Sequence, residues 1–147
     1  MFEWYRVLSH IVTSCKVHVV WCTKYRYKIL NWEIQVRCRD ILRQTCDSMD
    51  IVILKWVVSK DHVHMLIEYP PKLGISEIVK RLKWRSSRML LQEFQWLRKR
   101  YWWQHMWWVW YFAATSLNIT DEIIEEYLEH HKSVYKSIKD DNTFILE

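Results

Sequence analysis

Residues 50–69, DIVILKWVVSKDHVHMLIEY, decide the fold. Two β-branched, apolar runs flank the charged triplet SKD, the pattern of a strand, a turn and a second strand. Pro70 and Pro71 close the second run, because proline cannot donate to a strand ladder. Side chains alternate along a strand, so Val63, Met65 and Ile67 share one face while His62 and His64 share the other. The apolar face is expected to bury against helices. The imidazole pair then stands on the opposite face of the sheet.

Working outward, residues 16–23, KVHVVWCT, read as another strand, and the basic loop KYRYKIL follows it. From Glu33 to about Met49, apolar residues recur as Ile34, Cys38, Ile41, Leu42, Thr45 and Met49, one face of a helix. Gly74 and Ser76 open a second helix, with Ser76 predicted as its N-cap, running to residue 100. Its buried stripe is Val79, Leu82, Ser86, Met89, Leu90, Phe94 and Leu97, and Lys80, Lys83, Arg85 and Arg88 form a basic face. Residues 108–116, WVWYFAATS, are predicted as a fourth strand. Residues 118–138 are predicted as a helix capped by Thr120, with Asp121 and Glu122 at its positive end. The order β-α-β-β-α-β-α predicts an α+β fold: a ferredoxin-like or RRM-like antiparallel sheet with an added C-terminal helix that carries Tyr127. No linker or repeat divides the chain, so residues 1–147 are expected to form a single domain.

Half of the 147 residues are hydrophobic, enough for one core, and the net charge of +5 favours a polyanionic partner. The four cysteines form no C-x-x-C pair and fall inside strands and helices, which reads as reduced thiols in a cytoplasmic protein. No signal-peptide pattern and no apolar run of about 18 residues is present, so no membrane segment is expected. Composition is unusual in one respect, with one glycine, Gly74, and eleven tryptophans. Turns needing positive φ must therefore fall on Asn, Asp or strained residues.

Two neutral imidazoles at the spacing of His62 and His64 can share a divalent cation, although the same spacing also describes a merely exposed pair. The last helix adds a stripe of Ile123, Ile124, Tyr127, Leu128, His131, Val134, Tyr135 and Ile138. Tyr127 and His131 are four residues apart and share a face. Packed over the imidazoles, they present a phenol and a third imidazole, a set suited to attack on a phosphodiester. Packed elsewhere, they are a core tyrosine and a boundary histidine. Asp61 reads as a turn residue, and His10, His18, His105 and His130 have no partner at a diagnostic spacing. Lys16, Lys24, Arg26 and Lys28, interleaved with Tyr25 and Tyr27, join the basic helix as a nucleic-acid-binding set.

With these residues in place, the chain resembles the single-tyrosine (Y1) HUH transposases of the IS200/IS605 family. SCKVHVVWCTKYRYKIL resembles that family's first strand and basic loop, SKDHVHMLIEYPP its histidine strand, LKWRSSRMLLQEF its DNA-contacting helix and TDEIIEEYLEHH its nucleophile helix. The resemblance implies a homodimer that binds single-stranded DNA hairpins at transposon ends in a prokaryotic cytoplasm and needs no nucleotide cofactor. It implies Tyr127 as nucleophile, with His62, His64 and His131 holding Mg²⁺ or Mn²⁺. Lys24, Arg26, Lys28, Lys80, Lys83, Arg85 and Arg88 are implied DNA contacts. Two rivals use the same residues: a catalytically silent binder of DNA hairpins or RNA, and a metal-dependent hydrolase in which water replaces the phenol.

Tryptophan stands where the family's glycines are expected at Trp32, Trp56, Trp84, Trp103, Trp108 and Trp110; Leu117 replaces an expected hinge glycine, and Thr23 an expected proline. Wherever such a position requires positive φ, strain of about 1–3 kcal/mol is expected.

Overall fold

The computed structural model describes residues 5–102, 105–115, 120 and 122–129. The chain divides into two units, Met1–Leu117 and Asn118–Glu147. In the first, β1 (Arg6–Val7) and β2 (Val12–Thr13) make a short hairpin ahead of β3 (Lys16–Cys22) and α1 (Trp32–Ser48). The hairpin of β4 (Val52–Val58) and β5 (His62–Glu68) follows, then α2 (Ile75–Glu93), α3 (Gln95–Tyr101) and β6 (Phe112–Ala114). The main sheet has the order β4-β5-β3-β6 with every pairing antiparallel. This is the ferredoxin-like arrangement expected from the element order, because β5 inserts between the strands on either side of α1. The N-terminal hairpin and the separate α3 are additions to the expected order.

The core lies between one face of the sheet and the helices. Val17, Val19 and Trp21 of β3 and Val63, Met65 and Ile67 of β5 are fully buried there with Ile34, Cys38, Ile41 and Leu42 of α1 and Leu82 and Leu90 of α2. Asn31 starts α1 by accepting a 3.0 Å hydrogen bond from the Ile34 backbone, as an N-cap should. A bulge in β4 between Ile53 and Lys55 shifts the register by one residue. The shift sets Trp56 opposite Met65 and Val58 opposite Val63. Ser86 is legible in hindsight: its hydroxyl donates to Leu82 O at 2.6 Å and accepts from the Trp107 indole at 2.8 Å, so a polar atom sits satisfied in an apolar stripe.

Three sequence expectations change. The helix predicted to run from Ser76 to residue 100 starts from Gly74, whose carbonyl accepts from Ile78 at 3.1 Å, and Ser76 lies exposed in its first turn. It also breaks at Phe94, which is extended (φ −110°, ψ 98°). Phe94 N donates to Leu90 O while Phe94 O accepts from Leu97 N, so one residue ends α2 and begins α3. The fourth strand shrinks from residues 108–116 to Phe112–Ala114. Upstream, contact with the end of β3 is reduced to an isolated Thr23–Trp107 bridge and a bond from Trp108 N to Cys22 O. The Trp108 carbonyl instead accepts from Lys83 of α2, which takes it out of the ladder.

The strain expected at the tryptophans is absent wherever they are described. Positive φ occurs at Tyr25, Arg26, Asp50 and Trp102 among the described residues, and none of Trp32, Trp56, Trp84, Trp108 or Trp110 is there. Trp32 opens α1, Trp84 lies within α2, and Trp56 sits in β4 with the guanidiniums of Arg39 and Arg43 at 5.6 and 5.5 Å from its ring. Each has an ordinary backbone and room for its ring. Gly74 itself has φ −87°. Trp103 and Leu117 lie outside the described residues.

In the second unit, residues 122–129 are helical, and Thr120 caps them by accepting from Ile123 N at 3.4 Å. Of the predicted stripe, Ile124 and Leu128 are buried and Tyr127 is half-buried, whereas Ile123 is exposed; the stretch from residue 130 to 138, His131 included, lies outside the described residues. No described helix is long and apolar enough to cross a membrane.

Arg6 joins the N-terminal hairpin to the sheet. Its Nε and Nη2 donate to the two oxygens of Glu68 at 2.9 and 2.8 Å, and Nη1 pairs with Asp50. The Glu68 side chain is 1% exposed. Arg6→Ala leaves that carboxylate buried and unpaired, and the expected loss is about 3–5 kcal/mol in urea unfolding. The second change Glu68→Gln, added to Arg6→Ala, is expected to recover part of it.

Candidate active site

The site is built where β3 and β5 lie side by side. Their register sets Cys22 opposite His62 and Val20 opposite His64. His18, Val20 and Cys22 therefore share a sheet face with His62, His64 and Leu66, on the side away from the helix-packed core. The sequence-predicted pair does stand together on that face, both members half-buried.

Each histidine has a specific neighbour. The Nδ1 of His62 lies 2.8 Å from Asp61 Oδ1, and the other carboxylate oxygen accepts from Arg26 Nη2 at 3.2 Å. The His62 bond first, and the Arg26 charge with it, hold the Asp61 carboxyl below its ordinary range against the effect of burial. An ionised carboxylate accepts only, so a proton sits on His62 Nδ1, and in the neutral ring Nε2 keeps the lone pair. This is the arrangement that orients a metal-ligating imidazole. Asp61, read from the sequence as a turn residue, is thus also a positioning residue. Its backbone carbonyl accepts from Thr23 N at 2.8 Å, tying the basic loop to the histidine turn.

His64 reaches a residue that sequence reasoning set aside. Its Nε2 lies 3.1 Å from Nδ1 of His18, with the ring centroids 5.4 Å apart. His18 is 7% exposed, and burial first, with the Lys55 charge second, holds its imidazole below the usual value. The only local signal was alternation in KVHVVWCT, which puts position 18 on the non-core face. Its pairing with position 64 depends on strand register.

The donors suit a divalent cation as far as they go. His62 offers Nε2 with its tautomer fixed, His64 lies two residues along on the same face, and neutral imidazole is a common ligand. Among the described residues no three His, Cys, Asp or Glu side chains are grouped to hold an ion. Tyr127 is half-buried on its own helix in the second unit, and His131, the expected third ligand, lies outside the described residues.

Burial pushes the Cys22 thiol up to about 12, which leaves it inert beside the histidines. None of the four cysteines is in a disulfide, in line with the reduced thiols expected from the sequence. Of the expected DNA contacts, Lys28, Lys80, Arg85 and Arg88 are exposed and Lys24 is half-buried. Arg26 is directed at Asp61, and Lys83 at the Trp108 carbonyl. The Arg100 guanidinium lies 4.1 Å from the ring centroid of Tyr27.

Known proteins resemble this chain over most of its length. A family model described as "Transposase IS200 like" matches residues 11–131. The transposase for insertion sequence element IS200 of Salmonella typhimurium is 34% identical over 84% of this chain and 80% of its own length. The ISDra2 transposase TnpA of Deinococcus radiodurans is 30% identical over 80% of this chain and 84% of its own. Among solved structures, a putative transposase from Deinococcus radiodurans superposes with a TM-score of 0.79 at 29% identity, covering 85% of this chain and 96% of that one. A REP-associated tyrosine transposase bound to a REP hairpin has the same fold, with a TM-score of 0.54 at 15% identity over 88% of this chain and 68% of that one.

Two outcomes follow from the geometry. Nitrogen-15 NMR is expected to show His62 as the Nδ1–H tautomer, and Asp61→Asn to release it toward the Nε2–H form common in solvent. Burial also lowers the Lys83 ammonium from 10.5 to about 8. A charge disfavoured by folding is a penalty below the folded pKa and vanishes above the unfolded one. Thermal stability relative to Lys83→Met is therefore expected to rise as pH goes from about 8 to 10.5.

Proposed function

The chain belongs to the IS200-like transposase family, and from that premise we propose that it binds hairpin ends of single-stranded insertion-sequence DNA, cutting and rejoining them through Tyr127. The observation that carries this reading is His62 beside His64 on one sheet face, with the His62 tautomer held by Asp61 and Arg26. A structural silencing of the site by tryptophan strain would have argued for the binding-only rival, and none of the described tryptophans at the expected glycine positions has positive φ.

In this mechanism His62, His64 and His131 would hold a divalent cation, Mg²⁺ or Mn²⁺, which would supply Lewis-acid polarisation of the scissile phosphate. The chain's own residues do the rest. The Tyr127 oxygen attacks phosphorus in line, and the bond from phosphorus to the 3′ oxygen breaks. That oxygen leaves as a 3′-hydroxyl after taking a proton, and the 5′ end stays on tyrosine as a phosphodiester. A 3′-hydroxyl from another end then attacks the same phosphorus and displaces the phenolate. One ester replaces another at each step, so no nucleotide cofactor is required. A free phenol has a pKa of about 10, so a proton acceptor or the cation's field must favour its ionised form.

Lys28, Lys80, Arg85 and Arg88 offer exposed cations for the DNA backbone and Lys24 a half-buried one, and phosphate contacts of this kind fix orientation rather than sequence. The hairpin substrate is supported by the relative of the same fold that is bound to a REP hairpin. We read the working protein as a homodimer in a prokaryotic cytoplasm.

The test is covalent capture. Incubated with hairpin DNA carrying single-stranded flanks and Mn²⁺, the protein is expected to form an adduct that survives denaturation. Tyr127→Phe abolishes it while hairpin binding stays within about twofold. Binding with no adduct in the parent supports the silent binder, and cleavage that survives Tyr127→Phe supports the hydrolase.

A further inference from the structure

A concavity lies between α2 and the segment of residues 105–111. It has a volume of about 310 Å³, at the small end of the roughly 300–1,000 Å³ typical of ligand sites. Such a space takes one flat ring system rather than a length of strand. Its aromatic walls are Trp84, Trp107, Trp108 and Tyr111. Trp84 is 55% exposed, with the Arg88 guanidinium 5.2 Å from its ring centroid. Trp107 is anchored through its indole to Ser86 and edge-on to Trp21, with ring centroids 6.0 Å apart. One wall is therefore fixed by the core, and another is open to solvent.

The lining also selects by charge. Lys80 and Lys83 line the space, and none of the described lining residues is acidic. Lys83 holds the Trp108 carbonyl, which fixes that edge of the wall. Burial holds its ammonium down to about 8, so an anion drawn alongside stabilises the charged form. An aromatic slot rimmed by cations and free of carboxylates fits a flat ring attached to a phosphate. By contrast, the rings of Tyr25 and Tyr27 are 5.4 Å apart, and Arg100 already stands over Tyr27. That makes the tyrosine loop the poorer stacking platform of the two.

We propose that this cavity receives one unstacked nucleobase of single-stranded DNA, stacked on Trp84 and Trp108, with an adjoining phosphate on Lys80 and Lys83. The inference rests on the DNA-binding part of the proposed function and adds a base subsite to it. Two of its walls are tryptophans at positions where glycines were expected. Those substitutions thereby acquire a role in binding.

The test uses probes that need no knowledge of the natural ends. Fluorescence anisotropy compares a labelled oligothymidylate with an all-abasic oligomer of equal length and charge. Stacking of one base is expected to make the thymidylate bind about tenfold more tightly. Trp84→Ala, at an exposed position, is expected to shrink that gap to about twofold, and affinity for the abasic oligomer stays unchanged, which also reports an intact fold. Photo-crosslinking of an oligomer containing 5-iododeoxyuridine is expected to map to Trp84 or Trp108. Binding with no gap, a gap untouched by Trp84→Ala, or crosslinks confined to Tyr25 and Tyr27 overturns the slot and leaves the DNA-binding reading standing. Failure of both oligomers to bind overturns the slot as well, while the hairpin reading is tested by the covalent capture above.

Discussion

The pairing of β3 with β5 is the constraint on which the rest depends. It is the central contact of the main sheet, from Lys16 opposite Glu68 to Cys22 opposite His62. One register delivers two outcomes at once. It sets Val17, Val19 and Trp21 beside Ile67, Met65 and Val63 on the helix side, and it lines up His18, His62 and His64 on the other. A slip by one residue would exchange the faces, putting imidazoles into the core and valines beside the reacting groups. The buried apolar face therefore fixes the geometry of the polar one.

Around that pair the structure holds its functional groups by backbone and charge rather than by packing alone. Thr23 N to Asp61 O and Leu30 N to Lys60 O stitch the basic loop to the turn before His62. Arg26 then reaches the same aspartate that orients the imidazole. A basic residue expected to contact DNA is in this way shared with the histidine site. Changes at Arg26 are therefore expected to act on the orientation of His62 through that carboxylate.

The tryptophans show how a family pattern misleads when its physical reason is not checked position by position. Glycine is required only where φ is positive or where a Cβ would collide. At Trp32, Trp56 and Trp84 the backbone is ordinary helix or strand, and the rings extend to solvent or lie under arginines. Among the described residues the left-handed positions fall instead on Tyr25, Arg26, Asp50 and Trp102. Only Asp50 is a residue type expected to serve there.

The sequence by itself determined the alternating faces of the histidine hairpin, the apolar stripes of the helices, the reduced cysteines and the family. Each depends on local period or on motif order, which a single chain displays. Only the tertiary structure decided that His18 meets His64, that Asp61 and Arg26 hold His62, and that Trp84 and Trp108 face a common cavity. Those contacts join residues 46, 35 and 24 positions apart or adjacent ones turned by a loop. Strand register and helix placement create them, and neither is written in any local window. Phe94 makes the same point within a helix, where an unbroken apolar stripe concealed a change of direction set by the packing of Leu97 and Tyr101.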